Sequence, residues 1–340
     1  MIKRLVAILI LIFLISVITI YFARQINWQD LGTVEYSLGA VSIPDFLPPP
    51  QITLLAVGDI MLDRGVELSV DNHGAGDFNF VFDKIKGLKS GADIMLGNLE
   101  GPVAWGGADG GGIYSFHTSP LILPVLKNLG FDVLSVANNH AADWGRTAFT
   151  ETLDNLSKNN LLFVGGAKNY ASATEPVIIE KNGLKVGFLG FSDVGPTALR
   201  ATSSQAGILL ASDPDFVGII NRASKKVDVL VITIHWGDEY KVNHNLRQEN
   251  LAREAVLAGA KVIIGHHPHV IQDTEKSKEA YIAYSLGNFV FDQYFSLETM
   301  EGLALKLEIN KDGVSRVEKK PIKINKWFQP SWMASSTESF

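Results

Sequence analysis

The chain of 340 residues has no cysteine, which excludes disulfides and any metal site built on thiolates. A chain this long buries enough apolar surface to fold without cross-links. It also has no basic excess. Its 30 Lys and Arg against 36 Asp and Glu give a formal net charge of −6, so no electrostatic footprint for nucleic acid is present. No internal repeat or low-complexity tract is evident. The Gly-rich stretch Trp105 to Gly112 has neither a trailing Lys-Ser/Thr nor a strand–turn–helix setting. It therefore reads as a mobile loop near the site and not as a nucleotide cradle. No Gly-x-Ser-x-Gly elbow occurs, which argues against a serine hydrolase. Histidine is scarce, 8 in all, and that scarcity makes its distribution informative.

Three of the histidines fall in Gly265-His266-His267-Pro268-His269, directly after the apolar run Val262-Ile263-Ile264. Strand ends are where an α/β protein opens a crevice for chemistry. Four other junctions repeat the pattern. Ile52 to Val57 runs into Gly58-Asp59-Ile60-Met61, and Ile94-Met95-Leu96 runs into Gly97-Asn98-Leu99-Glu100. Val133 to Val136 runs into Ala137-Asn138-Asn139-His140, and Val229 to Ile234 runs into His235-Trp236-Gly237. Any one of these is an ordinary strand-to-turn transition, since Gly, Asn and Asp are common there. Five together, with the histidines concentrated among them, supply the carboxylate oxygens and imidazole nitrogens that bind Zn, Mn or Fe. Continued extended backbone would put His267 and His269 on one side and turn His266 away as a structural residue. His73, His117 and His244 fall in polar stretches and read as solvated. Glu239 is placed to orient an imidazole through its free ring N–H. Asp143 has that reading too, and equally reads as the cap of a helix beginning near Arg146.

The ordered motifs Gly58-Asp59-Ile60-Met61, Gly97-Asn98-Leu99-Glu100-Gly101-Pro102, Asn138-Asn139-His140-x-x-Asp143-x-Gly145, His235-Trp236-Gly237-x-Glu239-Tyr240, His267-Pro268-His269-Val270 and Tyr284-Ser285-Leu286-Gly287-Asn288-Phe289 resemble the bacterial capsule synthesis protein CapA family. That family is associated with poly-γ-glutamate capsule synthesis and is related in fold to the calcineurin-like metallophosphoesterases. The resemblance covers about residues 51–295. It implies an α/β fold of four layers, αββα, with two mixed sheets between helices. It further implies that Asp59, Asn139, His235, His267 and His269 are metal ligands and that His140 is the catalytic histidine. Met61 stands where metallophosphoesterases have the histidine of Asp-x-His. No residue matches the bridging aspartate directly, and Glu100 is the nearest carboxylate to substitute for it. The implied cofactor is a divalent metal (Mn, Zn or Fe), as one or two ions. Two function classes follow. One is a metal-dependent hydrolase acting on a phosphoester or polymer linkage. The other is a non-catalytic component of polymer assembly or export whose degenerate metal site binds an anionic chain.

The N-terminus sets the expected location. Lys3 and Arg4 precede an uncharged, Leu- and Ile-rich run from Leu5 to Phe22, long enough to cross a bilayer as a helix. No small-x-small cleavage site follows it, which favours an uncleaved anchor over a signal peptide. The basic residues ahead of the run, against the single Arg24 just after it, put the N-terminus in the cytoplasm and the body outside. The expected organisation is a membrane anchor over 1–22, a Pro-rich tether over 23–50, one domain over 51–326 and a frayed polar tail over 327–340. A single-pass protein of the cell membrane follows, with an anionic polymer or phosphoester as ligand and other polymer-synthesis membrane subunits as partners. Apolar spacing predicts helices at Val81 to Ser90, Leu121 to Leu129, Arg146 to Asn159, Asp215 to Lys226 and Asn245 to Ala258. Further strands are expected at 161–164, 184–189, 281–285 and 303–309.

Overall fold

The structure, a computed structural model, describes residues 14–18, 50–278 and 280–333. Residues 14–18 are helical and exposed. The rest of the expected anchor, and the tether up to residue 49, lie outside the described residues. Among those described, no helix is long and apolar enough to cross a membrane. The sheets and the candidate site belong to the unit that begins at Pro49.

The chain enters this unit on β1 (Gln51–Ile60), followed by β2 (Ile94–Leu99), β3 (Val133–Ser135) and β4 (Leu162–Val164), four parallel neighbours in that order. After β5 (Gly166–Ala167) the chain builds a second sheet from β6 (Val177–Lys181) and β7 (Leu184–Ser192). The short β8 (Gly207–Ile208) pairs with β5, and β9 (Val229–His235), β10 (Val262–His266), β11 (Thr274–Lys276) and β12 (Tyr281–Ala283) complete the second sheet. Its order is β11-β12-β10-β9-β7-β6, with antiparallel strands at both edges of a parallel centre. β13 (Asn288–Val290) returns to pair with β1, and β14 (Glu301–Asn310), β15 (Gly313–Ile324) and β16 (Pro330–Trp332) extend the first sheet antiparallel beyond β1.

Strand periodicity explains the layering. Ile52, Leu54 and Ala56 of β1 join Val229 and Val231 of β9 and Val262 and Ile264 of β10 in one core between the sheets. The intervening residues face outward: Leu55 and Val57 pack with Val66, Leu123, Phe149 and Leu153 on helices over the first sheet. Leu230, Ile232 and Ile263 pack with Ile219, Ile220, Leu251 and Ala255 on helices over the second. Both faces of the central strands are buried, so these strands are apolar throughout and not alternating. The result is helix, sheet, sheet, helix.

Four predicted helices form with boundaries within two residues of expectation: Ile122–Leu129, Gly145–Lys158, Phe216–Ser224 and Leu246–Leu257. The last starts at a capping box in which Asn245 and Gln248 each bond the other's backbone. The helix expected over 81–90 is instead a single turn at Asn79–Phe82 followed by turns, with Gly87 in the left-handed region. The expected tail is also corrected. Pro330–Trp332 pair with Ile322 to Ile324, and Gln329 is buried with Nε2 donating to Phe80 O, so residues 329–332 pack onto the sheet edge, while residues 334–340 of the expected tail lie outside the described residues.

Candidate metal centre

The two sheets present the carboxyl ends of β1, β2, β3, β9 and β10 to one another, and the candidate residues meet there. Asp59 is the penultimate residue of β1, where pairing with β2 slips between Ala56 and Asp59 and pairing with β13 slips directly after it. Such irregularities re-aim a side chain. The preceding residue has to be glycine, because a Cβ on Gly58 would lie 1.9 Å from Gly287 O. The Asp59 carboxylate is completely buried. It lies 3.3 Å from His269 Nδ1 and 3.2 Å from His266 Nδ1. It also accepts bonds from Asn98 Nδ2 at 2.8 Å and from the His267 backbone N–H at 3.2 Å.

Glu100, just past β2, is the second buried carboxylate; His269 Nε2 is 3.6 Å and His140 Nε2 3.9 Å from its Oε1. His235 ends β9, with Nε2 2.8 Å from Asn139 Oδ1. Asp59, Glu100 and His235 form one triad whose donor atoms all lie within 4.8 Å of one another, and Glu239, His267 and His269 form a second. The predicted residues Asp59, Glu100, Asn139, His140, His235, His267 and His269 are thus brought together at one point of the fold.

His140 sits at the outer edge of this cluster, packed at a tilt on Phe116 with ring centroids 4.0 Å apart. Its Nδ1 is 2.7 Å from Asp143 Oδ2, which also accepts the Phe116 backbone N–H at 2.8 Å. Asp143 therefore orients an imidazole. It does not cap the helix at Gly145, whose N-cap position is Trp144 without a side-chain bond. The Gly-rich loop beside it is tethered. Trp105 and Gly106 donate backbone N–H groups to Glu151, and Gly110 donates to Asp143 O.

Two expectations about the His-rich segment are corrected. β10 stops at His266, and His267 and His269 have φ of 97° and 57°. A turn, not strand alternation, brings their rings to a centroid distance of 5.8 Å. His266 does not face away. It pairs in register with His235 across β9–β10, on the face toward the first sheet, and so meets Asp59. Sequence reasoning also passed over Asn98, whose Nδ2 donates to Asp59 and, at 3.2 Å, to Glu100, and Asn288, which lies 3.1 Å from His269 Nδ1. Their place at strand ends was the available signal. Of the histidines read as solvated, His117 stacks on Trp144 and His244 stacks on Tyr284, each at 3.8 Å and half-buried, whereas His73 is exposed.

The electrostatics follow from burial and from the neighbouring charges. Burial alone would raise the Asp59 carboxyl, but His266 and His269 hold it well below its ordinary value. Burial pushes Glu100 well above the usual carboxylate range, against the pull of His269 and with the help of Asp59. Burial, aided by the neighbouring His267, pushes His235 well down, and burial with His269 lowers His267 to about 3. Burial opposes a charge on His269 as well, yet Glu100 and Asp59 outweigh it and raise that imidazole to about 9. Glu100 Oε1, His267 Nδ1 and both His266 ring nitrogens have no hydrogen-bond partner among the described residues. Unpaired buried polar atoms are costly. Carboxylate oxygens and imidazole nitrogens converging without partners form the donor set that a divalent Zn, Mn or Fe ion requires, with His235 and His267 already held neutral and protons on His269 and Glu100 displaced when the ion binds. The residues fit such an ion.

Residues 53–293 match the profile of the family described as bacterial capsule synthesis protein PGA_cap. The chain belongs to this family. It is 36% identical to the PGA biosynthesis protein CapA of Bacillus subtilis (strain 168) over 272 residues, covering 79% of this chain and 70% of that one. It is 33% identical to the capsule biosynthesis protein CapA of Bacillus anthracis, covering 81% and 68%. Among solved structures, a novel phosphatase of Mycoplasma pneumoniae superposes with a TM-score of 0.49 at 14% identity, covering 81% of this chain and 95% of that one. The 5'-nucleotidase precursor of Thermus thermophilus superposes with a TM-score of 0.42 at 14% identity, covering 83% and 54%. These structural likenesses are distant.

Proposed function

We propose that this chain is a membrane-anchored, extracytoplasmic protein of capsule or poly-γ-glutamate-type polymer synthesis or export, and that it hydrolyses a phosphoester or polymer linkage with one or two divalent cations. Kinship with the two Bacillus CapA proteins supports the biological setting. The observation that carries the chemistry is the convergence of Asp59, Glu100, His235, His267 and His269 from the ends of four strands onto one buried point, with donor atoms left unpaired. Asp59, Asn139, His235, His267 and His269 would hold the metal, with Glu100 beside them. When bound, a divalent cation supplies Lewis-acid polarisation of a phosphoryl or acyl oxygen and charge stabilisation in the transition state. His140 is half-buried at the mouth of the cluster. Asp143 fixes its Nδ1 and leaves Nε2 directed toward Glu100, so Nε2 is the atom that donates a proton to a leaving group. Phe116 beneath the ring keeps it in that orientation. Lys3 and Arg4 ahead of the apolar run 5–22 support the anchored topology.

A second reading is a polymer-binding component without turnover, acting with other membrane subunits. It draws on Met61, which is buried with Sδ accepting the Asp63 backbone N–H at 3.2 Å where metallophosphoesterases place a histidine. His140→Ala separates the two readings. For the hydrolase, the variant keeps its metal content and loses about 10²–10⁴-fold in turnover of a phosphodiester or polymer substrate. His267→Ala loses metal and turnover together. Undiminished polymer production by cells carrying His140→Ala would sink the hydrolase and leave the binding role.

A further inference from the structure

We propose that His266 is a ligand of the cation held by this cluster and supplies the imidazole that Met61 does not. The inference rests on the metal-binding reading above and adds a residue to it. His266 is 2% exposed, and both of its ring nitrogens lack a hydrogen-bond partner. Its Nδ1 lies 3.2 Å from Asp59 Oδ1. Two donors on one cation, each about 2.0–2.2 Å from it and subtending about 90–109°, sit about 2.8–3.6 Å apart. The separation is therefore that of two ligands on one ion. Position supports the same conclusion. His266 is paired in register with His235, and the strand pleat sends both toward the inter-sheet face that carries Asp59. Met61 points into the apolar core with Ile60, Leu62 and Val66, so an Asp-x-Met sequence leaves Asp59 one imidazole short. His266 reaches the same carboxylate from the opposite sheet. An imidazole buried against a carboxylate has no account as a packing residue, because an apolar side chain would fill that space at lower cost.

The test uses the full-length chain with Mn²⁺ as probe. Calorimetry and pulsed EPR are compared for the wild type and His266→Gln, which keeps a polar side chain beside Asp59. The expected result is at least about tenfold weaker Mn²⁺ binding in the variant and one fewer coordinated imidazole nitrogen. Unchanged affinity with the same imidazole number overturns this inference and leaves the metal site standing. A wild type that binds no Mn²⁺ overturns both. Circular dichroism in EDTA checks that the variant folds. If it does not, crystals of Mn²⁺-loaded wild type decide. An anomalous peak within about 2.5 Å of a His266 ring nitrogen supports the ligand role, and a longer separation refutes it.

Discussion

His267 shows what the site demands of single residues. It adopts a φ of 97°, a conformation that a side-chain-bearing residue takes only under constraint from its surroundings. Its imidazole is buried and kept neutral down to about pH 3. In the unfolded chain the same group takes up a proton near pH 6.5. The unfolded state therefore binds more protons between these values, so the stability contribution is intact above about pH 6.5 and is lost as pH falls toward 3. His235 is shifted in the same direction. Metal-free protein should lose up to about 1.4 kcal/mol per pH unit for each such group. Urea unfolding in EDTA at pH 7, 6 and 5 should show a shallower loss for His267→Gln than for the wild type. Equal slopes would show that this imidazole is not buried neutral.

At the level of elements, the site depends on how β1 meets its neighbours. Gly58 lets the β1 backbone approach Gly287 closely enough for the Asp59 N–H to donate to Gly287 O at 3.0 Å. A methyl group there has no room, so Gly58→Ala should cost at least about 2 kcal/mol in denaturant unfolding. It should also weaken metal binding, since the displaced strand carries Asp59. A variant with wild-type stability and metal affinity would mean that the strands separate freely at this point. Element boundaries were legible where local chemistry sets them, as at the Asn245–Gln248 capping box. They were illegible where pairing sets them. β15 reads as Gly313-Val314-Ser315-Arg316-Val317-Glu318-Lys319-Lys320-Pro321, charged and interrupted by proline, yet it forms a strand because β14 offers it a partner along its length. Its exposure on one side tolerates the lysines, and proline is tolerated near the sheet edge.

For the whole molecule, the proposed topology makes residues 51–333 an extracytoplasmic body behind a single anchor. Protease added to intact spheroplasts should degrade that body, detected with an antibody against it. Complete protection behind a sealed membrane would reverse the orientation. A chain lacking residues 1–49 should fold and bind the same amount of Mn²⁺ per molecule, because every residue of the cluster lies beyond Pro50. Loss of metal on truncation would show that the N-terminal segment contributes to the site.

The amino-acid order by itself determined the α/β class and the places where buried strands stop. Runs such as Val262-Ile263-Ile264 cannot be left in water, and the Gly, Asn, Asp and His residues that follow them occupy the last positions of the strand or the turn just beyond it. It also determined which residue types arrive at those ends, and hence the metal chemistry on offer. Only the tertiary structure decided which way each of them points. Strand alternation is a local rule, and it fails at His267, where the left-handed turn reverses the side expected for His266 and its neighbours. It fails again at Asp59, where the slipped register re-aims the carboxylate. Both departures are set by contacts between residues far apart in the chain: Gly58 against Gly287, and Asp59 accepting the His267 N–H. The second sheet has to be laid against the first before Asp59 meets an imidazole.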